Sequence, residues 1–203
     1  MNKVFTDIYE NCIWGSSDSA EYNGSSGPGS EVSYNRTVYV PFLKHFISTL
    51  NIKTIVDMGC GDFKCGPLIY RDLDVAYTGY DAYEKVITYN KSKNPLPKFN
   101  FVHLDFFHCW DDIVNGDLCI LKDVLQHWNL GDIYNFMDFV VFGNKFKYVL
   151  VCNCGYQTHD NTDIETGDFR PLRCKFLPLR RYHPKVVLTY HSKEVSLIEV
   201  PQG

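Results

Sequence analysis

Five short apolar runs recur through the middle of the chain, separated by stretches with helical spacing. This alternation constrains the fold more than any other feature. The runs are KTIVDMG (53–59), AYTGYD (76–81), KFNFVHLD (98–105), DLCILKD (117–123) and KYVLVCN (147–153). Their length and apolar character predict buried strands. Helical patterns fall near 64–71 and 83–92 and over 130–143, where Ile133, Phe136, Met137, Val140 and Val141 share one face. Strands alternating with helices predict an α/β fold, a mostly parallel sheet with helices on both faces. Near the C-terminus KVVLTY and EVSLIEV flank the polar turn His191-Ser192-Lys193, which predicts an antiparallel hairpin.

Upstream, residues 15–30 (GSSDSAEYNGSSGPGS) read as a mobile loop. A helical pattern follows from about Glu31, with Tyr39, Phe42, Leu43, Phe46, Ile47 and Leu50 as its apolar face. Ser30 suits its N-cap, and Pro41 either kinks the helix or restarts it. The 203 residues suit a single domain, 1–203, with 1–50 as an N-terminal lid and helix and 51–203 as the core. Lysine and arginine number 20 against 24 aspartates and glutamates, a net charge of −4, which argues against a dedicated duplex nucleic-acid binder. Charges interrupt the apolar residues of MNKVFTDIYENC, and no apolar run reaches the roughly 18 residues a membrane span needs. None of the eight cysteines forms a C-x-x-C pair, and several sit in strand-like runs as small core residues. Free thiols in a reducing, cytoplasmic compartment are the expectation.

Ligands of open α/β sheets bind beyond the carboxyl ends of the strands. Four consecutive strands deliver a carboxylate to that edge: Asp57, Asp81, Asp105 and Asp123. Gly59 and Gly61 form a turn after the first strand, and Asp81 follows Gly61 by 20 residues, the spacing of an acid that accepts from ribose hydroxyls. The dinucleotide fingerprint needs a third glycine or alanine where Lys64 stands, and a pyrophosphate would meet Asp57 and Asp62. S-adenosylmethionine (AdoMet) carries an ammonium and a sulfonium and no phosphate, so acidic strand ends suit it.

VDMGCGD, YTGYDA, VHLDF and DLCILKDVLQHW, taken in this order, resemble successive motifs of the class I, seven-stranded AdoMet-dependent methyltransferases. Trp14-Gly15, Ser26-Gly27-Pro28-Gly29-Ser30 and DIETGDFRPL (163–172) are similar to signatures of one branch of these enzymes, in which the N-terminal segment folds over the cofactor. The resemblance extends to methyltransferase domains of large-virus glycan-building proteins. It implies a Rossmann-like sheet of order 3-2-1-4-5-7-6 with strand 7 antiparallel. It assigns Trp14, Ser30, Asp57, Gly59, Gly61, Asp81, Asp105, Phe106 and Lys122 to the cofactor, which leaves as S-adenosylhomocysteine. Asp57 and the glycines belong to its methionine end, Asp81 to the ribose, and Asp105 with Phe106 to the adenine.

On the acceptor side, Asp123 and His127 stand four residues apart, as if on one face of a helix start, and either suits the base that takes a hydroxyl proton. His159, Asp160, Asp163 and Arg170, in the loop 157–170, are candidates for an acceptor pocket. Some sugar and catechol methyltransferases hold Mg²⁺ near the acceptor. Paired carboxylates are absent after the fifth strand, where Asn153 and Cys154 stand, and no metal is assigned. The expectation is an O-methyltransferase acting on a sugar or glycan hydroxyl, fused to or acting with glycosyltransferases, at no membrane. The alternatives are a small-molecule or RNA methyltransferase, an NAD-dependent oxidoreductase, and a non-catalytic AdoMet-binding module.

Overall fold

The computed structural model describes residues 2–105 and 108–201. The chain divides into two compact units, Met1–Cys109 and Trp110–Gly203. The first holds α1 (Asn2–Glu10), α2 (Val32–Asn35), α3 (Tyr39–Thr49), β1 (Thr54–Met58), α4 (Gly66–Tyr70), β2 (Ala76–Asp81), α5 (Glu84–Lys93) and β3 (Phe99–His103). The second holds β4 (Gly116–Lys122), α6 (Leu130–Phe142), β5 (Phe146–Cys154), β6 (Lys185–Tyr190) and β7 (Lys193–Glu199). The strands hydrogen-bond in the order β3-β2-β1-β4-β5-β7-β6. β1 and β2 pair in parallel, as do β2 and β3, and β4 and β5. β7 runs antiparallel to both β5 and β6. The expected strand order and the reversed last strand are therefore the observed ones.

In the first unit Tyr39, Leu43, Phe46 and Ile47 of α3 are buried as the spacing predicts, Val40 is buried as well, and Phe42 and Leu50 are only partly buried, Leu50 lying just past the helix end. Pro41 lies in the first turn, where its missing N–H costs nothing, so it restarts the helix rather than kinking it. Ser30 is not the N-cap: it ends a 3-10 turn over Pro28–Ser30, and Glu31 precedes α2. Phe63 packs between Tyr77 (4.8 Å) and Phe101 (5.0 Å), joining the glycine turn to the sheet. α1 was not foreseen. It is two turns long, and Tyr9 stacks on Tyr83 at 4.5 Å to hold it.

In the second unit Leu118, Cys119, Ile120 and Leu121 of β4 are all buried. Neighbouring strand residues point to opposite faces, so both faces of β4 are covered. Asn129 caps α6 by accepting from the Asp132 amide at 2.9 Å, and the five expected apolar positions of α6 are buried. Lys193, expected in the hairpin turn, is the first residue of β7. All eight cysteines are free. Among the described residues no helix is long and apolar enough to cross a membrane.

Candidate functional site

The first unit's strand edge is built around one turn. β1 ends at Met58, and the chain reverses through Gly59 (φ 80°) and Gly61 (φ 54°). Both values lie in the left-handed region that glycine enters freely. The amides of Gly59 and Cys60 both donate to the Tyr80 carbonyl, at 2.8 and 2.9 Å. A side chain at Gly61 is also excluded by contact, since its Cβ would lie 2.4 Å from Ser26 Oγ.

Asp81 ties β2 to this turn. One carboxylate oxygen accepts from the Gly61 amide at 2.9 Å, and the other from the Tyr83 amide at 3.0 Å. The 20-residue spacing thus corresponds to a direct bond, from the carboxylate to the turn it follows. Asp81 is 6% exposed; burial raises its pKa to about 6 against the pull of these amides. A carboxylate offers about four lone-pair sites, so acceptor capacity remains for a ligand's hydroxyls. Asp57 is half-buried and accepts from the Tyr77 hydroxyl at 2.8 Å. Asp105, half-buried past β3, takes the amides of His108 and Cys109 on its carbonyl, both at 3.2 Å. Phe106, expected at the adenine, lies outside the described residues.

The N-terminal segment closes on the same turn. Ser26 Oγ accepts from the Asp62 amide at 2.8 Å and meets the Tyr9 hydroxyl at 2.8 Å. Ser30 Oγ donates to the Gly27 carbonyl at 2.7 Å, and its own carbonyl accepts from Cys65 Sγ. Trp14 packs edge-on against Tyr9, with ring centroids 5.8 Å apart. Lys64 is the latch: its ammonium reaches Glu31 at 2.6 Å and Asp18 at 3.0 Å, with Asp62 at 3.7 Å. Burial works against its charge, yet these carboxylates raise its pKa. Sequence reasoning treated Lys64 only as a missing glycine.

The second unit's edge is organised by lysines. β4 ends at Lys122, and Asp123 is left-handed at φ 61°. Its carboxylate is clamped by Lys122 Nζ (2.8 Å) and by Lys193 Nζ in a very short contact. Burial disfavours the Asp123 charge, but the two ammonium groups outweigh it and lower its pKa. Lys193 is 6% exposed and also reaches Cys154 Sγ at 3.2 Å. The expectation of a shared helix face for Asp123 and His127 is overturned. The chain passes from Asp123 through a 3-10 turn, Leu125–His127, and α6 begins only at Leu130, because Asn129 supplies its cap.

His127 is half-buried, and its Nδ1 donates to the Asp168 carbonyl at 2.8 Å. That bond places the lone pair of a neutral ring on Nε2, which accepts from the Gln126 side-chain amide at 3.3 Å. Burial lowers the His127 pKa, with Lys193 and Arg170 adding to the effect. A neutral imidazole near pH 7 is a competent base; an aspartate held between two lysines is a weak one.

The candidate acceptor loop separates into different roles. The exposed His159 ring meets the hydroxyls of Thr158 (3.0 Å) and Thr162 (2.9 Å). Asp160 accepts from the Leu177 amide at 2.8 Å and pairs with Arg180 at 3.0 Å. Asp163 accepts from the amides of Leu130 and Ile164, at 2.8 and 2.9 Å, so it anchors the start of α6. Arg170 is 2% exposed, and among the described residues none of its three guanidinium nitrogens has a hydrogen-bond partner. Gln126 was missed: its Oε1 accepts from the Cys154 amide at 2.9 Å and its carbonyl from the Arg170 amide at 3.0 Å. Among the described residues no cluster of three or more His, Cys, Asp or Glu is placed to hold a metal ion.

No protein-family model matches the chain, and no curated protein matches it by sequence. Solved structures do match its fold. The methyltransferase domain of bacterial CtHen1 superposes with a TM-score of 0.63 at 15% identity, covering 83% of this chain and 100% of that one. The N-terminal domain of EvdMO1, crystallised with SAH and D-fucose, gives 0.63 at 11% identity over 88% of this chain and 86% of that one. An O-methyltransferase family protein from Burkholderia thailandensis gives 0.64 at 11% identity over 86% of this chain and 59% of that one. With the observed strand order, these matches show that the chain has the seven-stranded, Rossmann-like fold of class I methyltransferases.

Proposed function

We propose that the chain is an AdoMet-dependent O-methyltransferase whose acceptor is a sugar or glycan hydroxyl. The observation that carries this reading is the Gly59–Gly61 turn, bonded to the buried carboxylate of Asp81 and covered by Ser26. The residues fit the cofactor. Two left-handed glycines let the backbone approach a ligand closely, and Asp81 keeps lone pairs for ribose hydroxyls. Asp57 and Asp62 give the turn the negative charge that an ammonium and a sulfonium match and a pyrophosphate opposes. Lys64 at the turn is engaged by Asp18 and Glu31, so it does not offset that repulsion for a dinucleotide. Trp14, Ser30 and Asp105 complete the first unit's share of the proposed cofactor set.

When bound, AdoMet supplies an electrophilic methyl group. The chain's own task is to hold an acceptor hydroxyl and remove its proton. We assign the proton to His127 Nε2, because Nδ1 is committed to the Asp168 carbonyl and the ring is held neutral. Asp123 orients Lys122 and Lys193 instead of acting as the base. The EvdMO1 domain crystallised with D-fucose supports a sugar acceptor. A sugar acceptor also suits action beside, or fusion to, glycosyltransferases in the cytoplasm.

The test is a methyl-transfer screen with AdoMet against monosaccharides, glycans, small alcohols and RNA, read by mass spectrometry. His127→Phe is expected to lower kcat by about 10²–10⁴-fold with AdoMet affinity retained. Thermal-shift titration runs AdoMet beside NAD; stabilisation by NAD alone would sink the reading.

A further inference from the structure

The guanidinium of Arg170 is the least satisfied group in the described molecule. It is 2% exposed, and its Nε, Nη1 and Nη2 all lack a partner. A guanidinium presents five N–H donors, and removing its charge from water uncompensated is among the costliest arrangements a fold can hold. Burial accordingly lowers its pKa, and only Asp163 opposes that. Yet the Asp163 carboxylate is engaged by the amides of Leu130 and Ile164.

The backbone around Arg170 is fixed. Its amide donates to the Gln126 carbonyl at 3.0 Å, and the neighbouring Leu172 amide donates to the Cys154 carbonyl at 2.9 Å. The side chain is therefore buried by a secured main chain. Lys122 and Lys193 share the single carboxylate of Asp123, a cluster that is itself net positive. The field of Arg170 reaches His127, the residue assigned above as the base.

We infer that Arg170 is an acceptor-recognition residue whose buried guanidinium takes an oxyanion, a carboxylate or a phosphate, carried by the molecule that is methylated. This rests on the methyltransferase reading for its acceptor but not for its binding event. It narrows the acceptor class to acidic sugars: uronic acids, or sugars bearing phosphate. A planar fork matches both groups through two parallel N–H···O bonds, which an ammonium cannot reproduce.

The experiment separates oxyanion binding from catalysis. Without AdoMet, glucuronate, glucose 1-phosphate and neutral glucose are titrated at constant ionic strength into the wild-type chain, Arg170→Lys and Arg170→Met. Binding is read by calorimetry and by the ¹⁵N-resolved Arg170 Nε–H resonance. One or both acidic sugars should bind the wild type and move that resonance, with glucose doing neither. Arg170→Met should weaken binding tenfold to about a hundredfold, and Arg170→Lys should restore only part of it. The arm that binds more tightly identifies carboxylate or phosphate. Equal binding of acidic and neutral sugars, or an unmoved Nε–H resonance, would overturn the inference even if the variants fail to fold. Methyl transfer to the same sugars is then measured separately. Oxyanion binding without transfer would refute the enzyme reading and leave the subsite standing. Transfer to neutral sugars, unaffected in Arg170→Met, would refute the subsite and leave the enzyme reading standing.

Discussion

The two strand edges carry the same residue, an aspartate at the end of a strand, and treat it in opposite ways. In the first unit Asp81 is buried among backbone amides, with no lysine or arginine bonded to it among the described residues, and its pKa rises to about 6. In the second, Asp123 is buried between two lysines and its pKa falls. An amide offers a partial charge and a fixed direction. An ammonium offers a full charge, enough to overcome desolvation. The first edge can therefore accept hydrogen bonds from a neutral or cationic ligand. The second has its carboxylate neutralised and carries positive charge to spare.

Lys193→Met tests the contrast most severely. It leaves a largely buried Asp123 with one lysine and should cost about 3–5 kcal/mol, read by chemical denaturation. A loss below about 1 kcal/mol would mean that Lys122 alone compensates Asp123.

The opposite pKa directions should appear as opposite pH slopes. Asp81 has a folded pKa of about 6, above its unfolded value near 3.9. The folded state then keeps a proton that the unfolded state releases. This contribution to stability is present below about pH 4 and is lost as pH rises toward 6, by up to about 3 kcal/mol. Asp123 behaves inversely: its contribution is present above about pH 4 and is lost as pH falls through its lowered folded pKa. Asp81→Asn should flatten the stability curve between pH 4 and 6 and leave its lower limb alone; a slope unchanged from wild type would contradict the assignment.

Removing the Asp81 carboxylate entirely should also reduce ligand binding. Asp81→Ala should weaken AdoMet roughly tenfold to a hundredfold, the worth of about 1.5–3 kcal/mol for hydrogen bonds to a charged group. Unchanged affinity by calorimetry in the folded variant would confine Asp81 to holding the turn.

The smallest effect is expected at the latch. Asp18→Asn with Glu31→Gln removes the pairs that Lys64 makes to the exposed Asp18 and the partly exposed Glu31, worth about 0.2–1 kcal/mol each at most, and leaves Lys64 beside the buried Asp62. Global stability should barely move, whereas hydrogen exchange across residues 18–31 should quicken. Exchange rates equal to wild type would show that Ser26 and Tyr9 hold the segment without these two pairs.

The strand positions were legible because a strand's apolar run is a local signal. β2, for instance, is observed over the same six residues that its run predicts. The glycine turn and Asp81 were legible for a related reason, since the motif's spacing is the connectivity of one turn and the strand beside it. Helix α1 was not, because nine residues with scattered charges carry too little periodicity, and tertiary packing of Tyr9 on Tyr83 supplies its stability. The shared helix face expected of Asp123 and His127 is absent because four-residue spacing implies such a face only on a helix, and Asn129 caps the helix beyond them.

The sequence by itself determined the order of elements, the reversal of the last strand and the row of acids at the strand ends, because each is encoded in neighbouring residues. Tertiary structure alone decided which way each acid's pKa moves, since that depends on burial and on partners far along the chain: Lys193 for Asp123, 70 residues away, and the Gly61 amide for Asp81. It alone also decided that Arg170, one charged residue in a polar loop, is 2% exposed with no hydrogen-bond partner for its guanidinium among the described residues. Solvation and pairing are properties of the folded environment, and composition does not carry them.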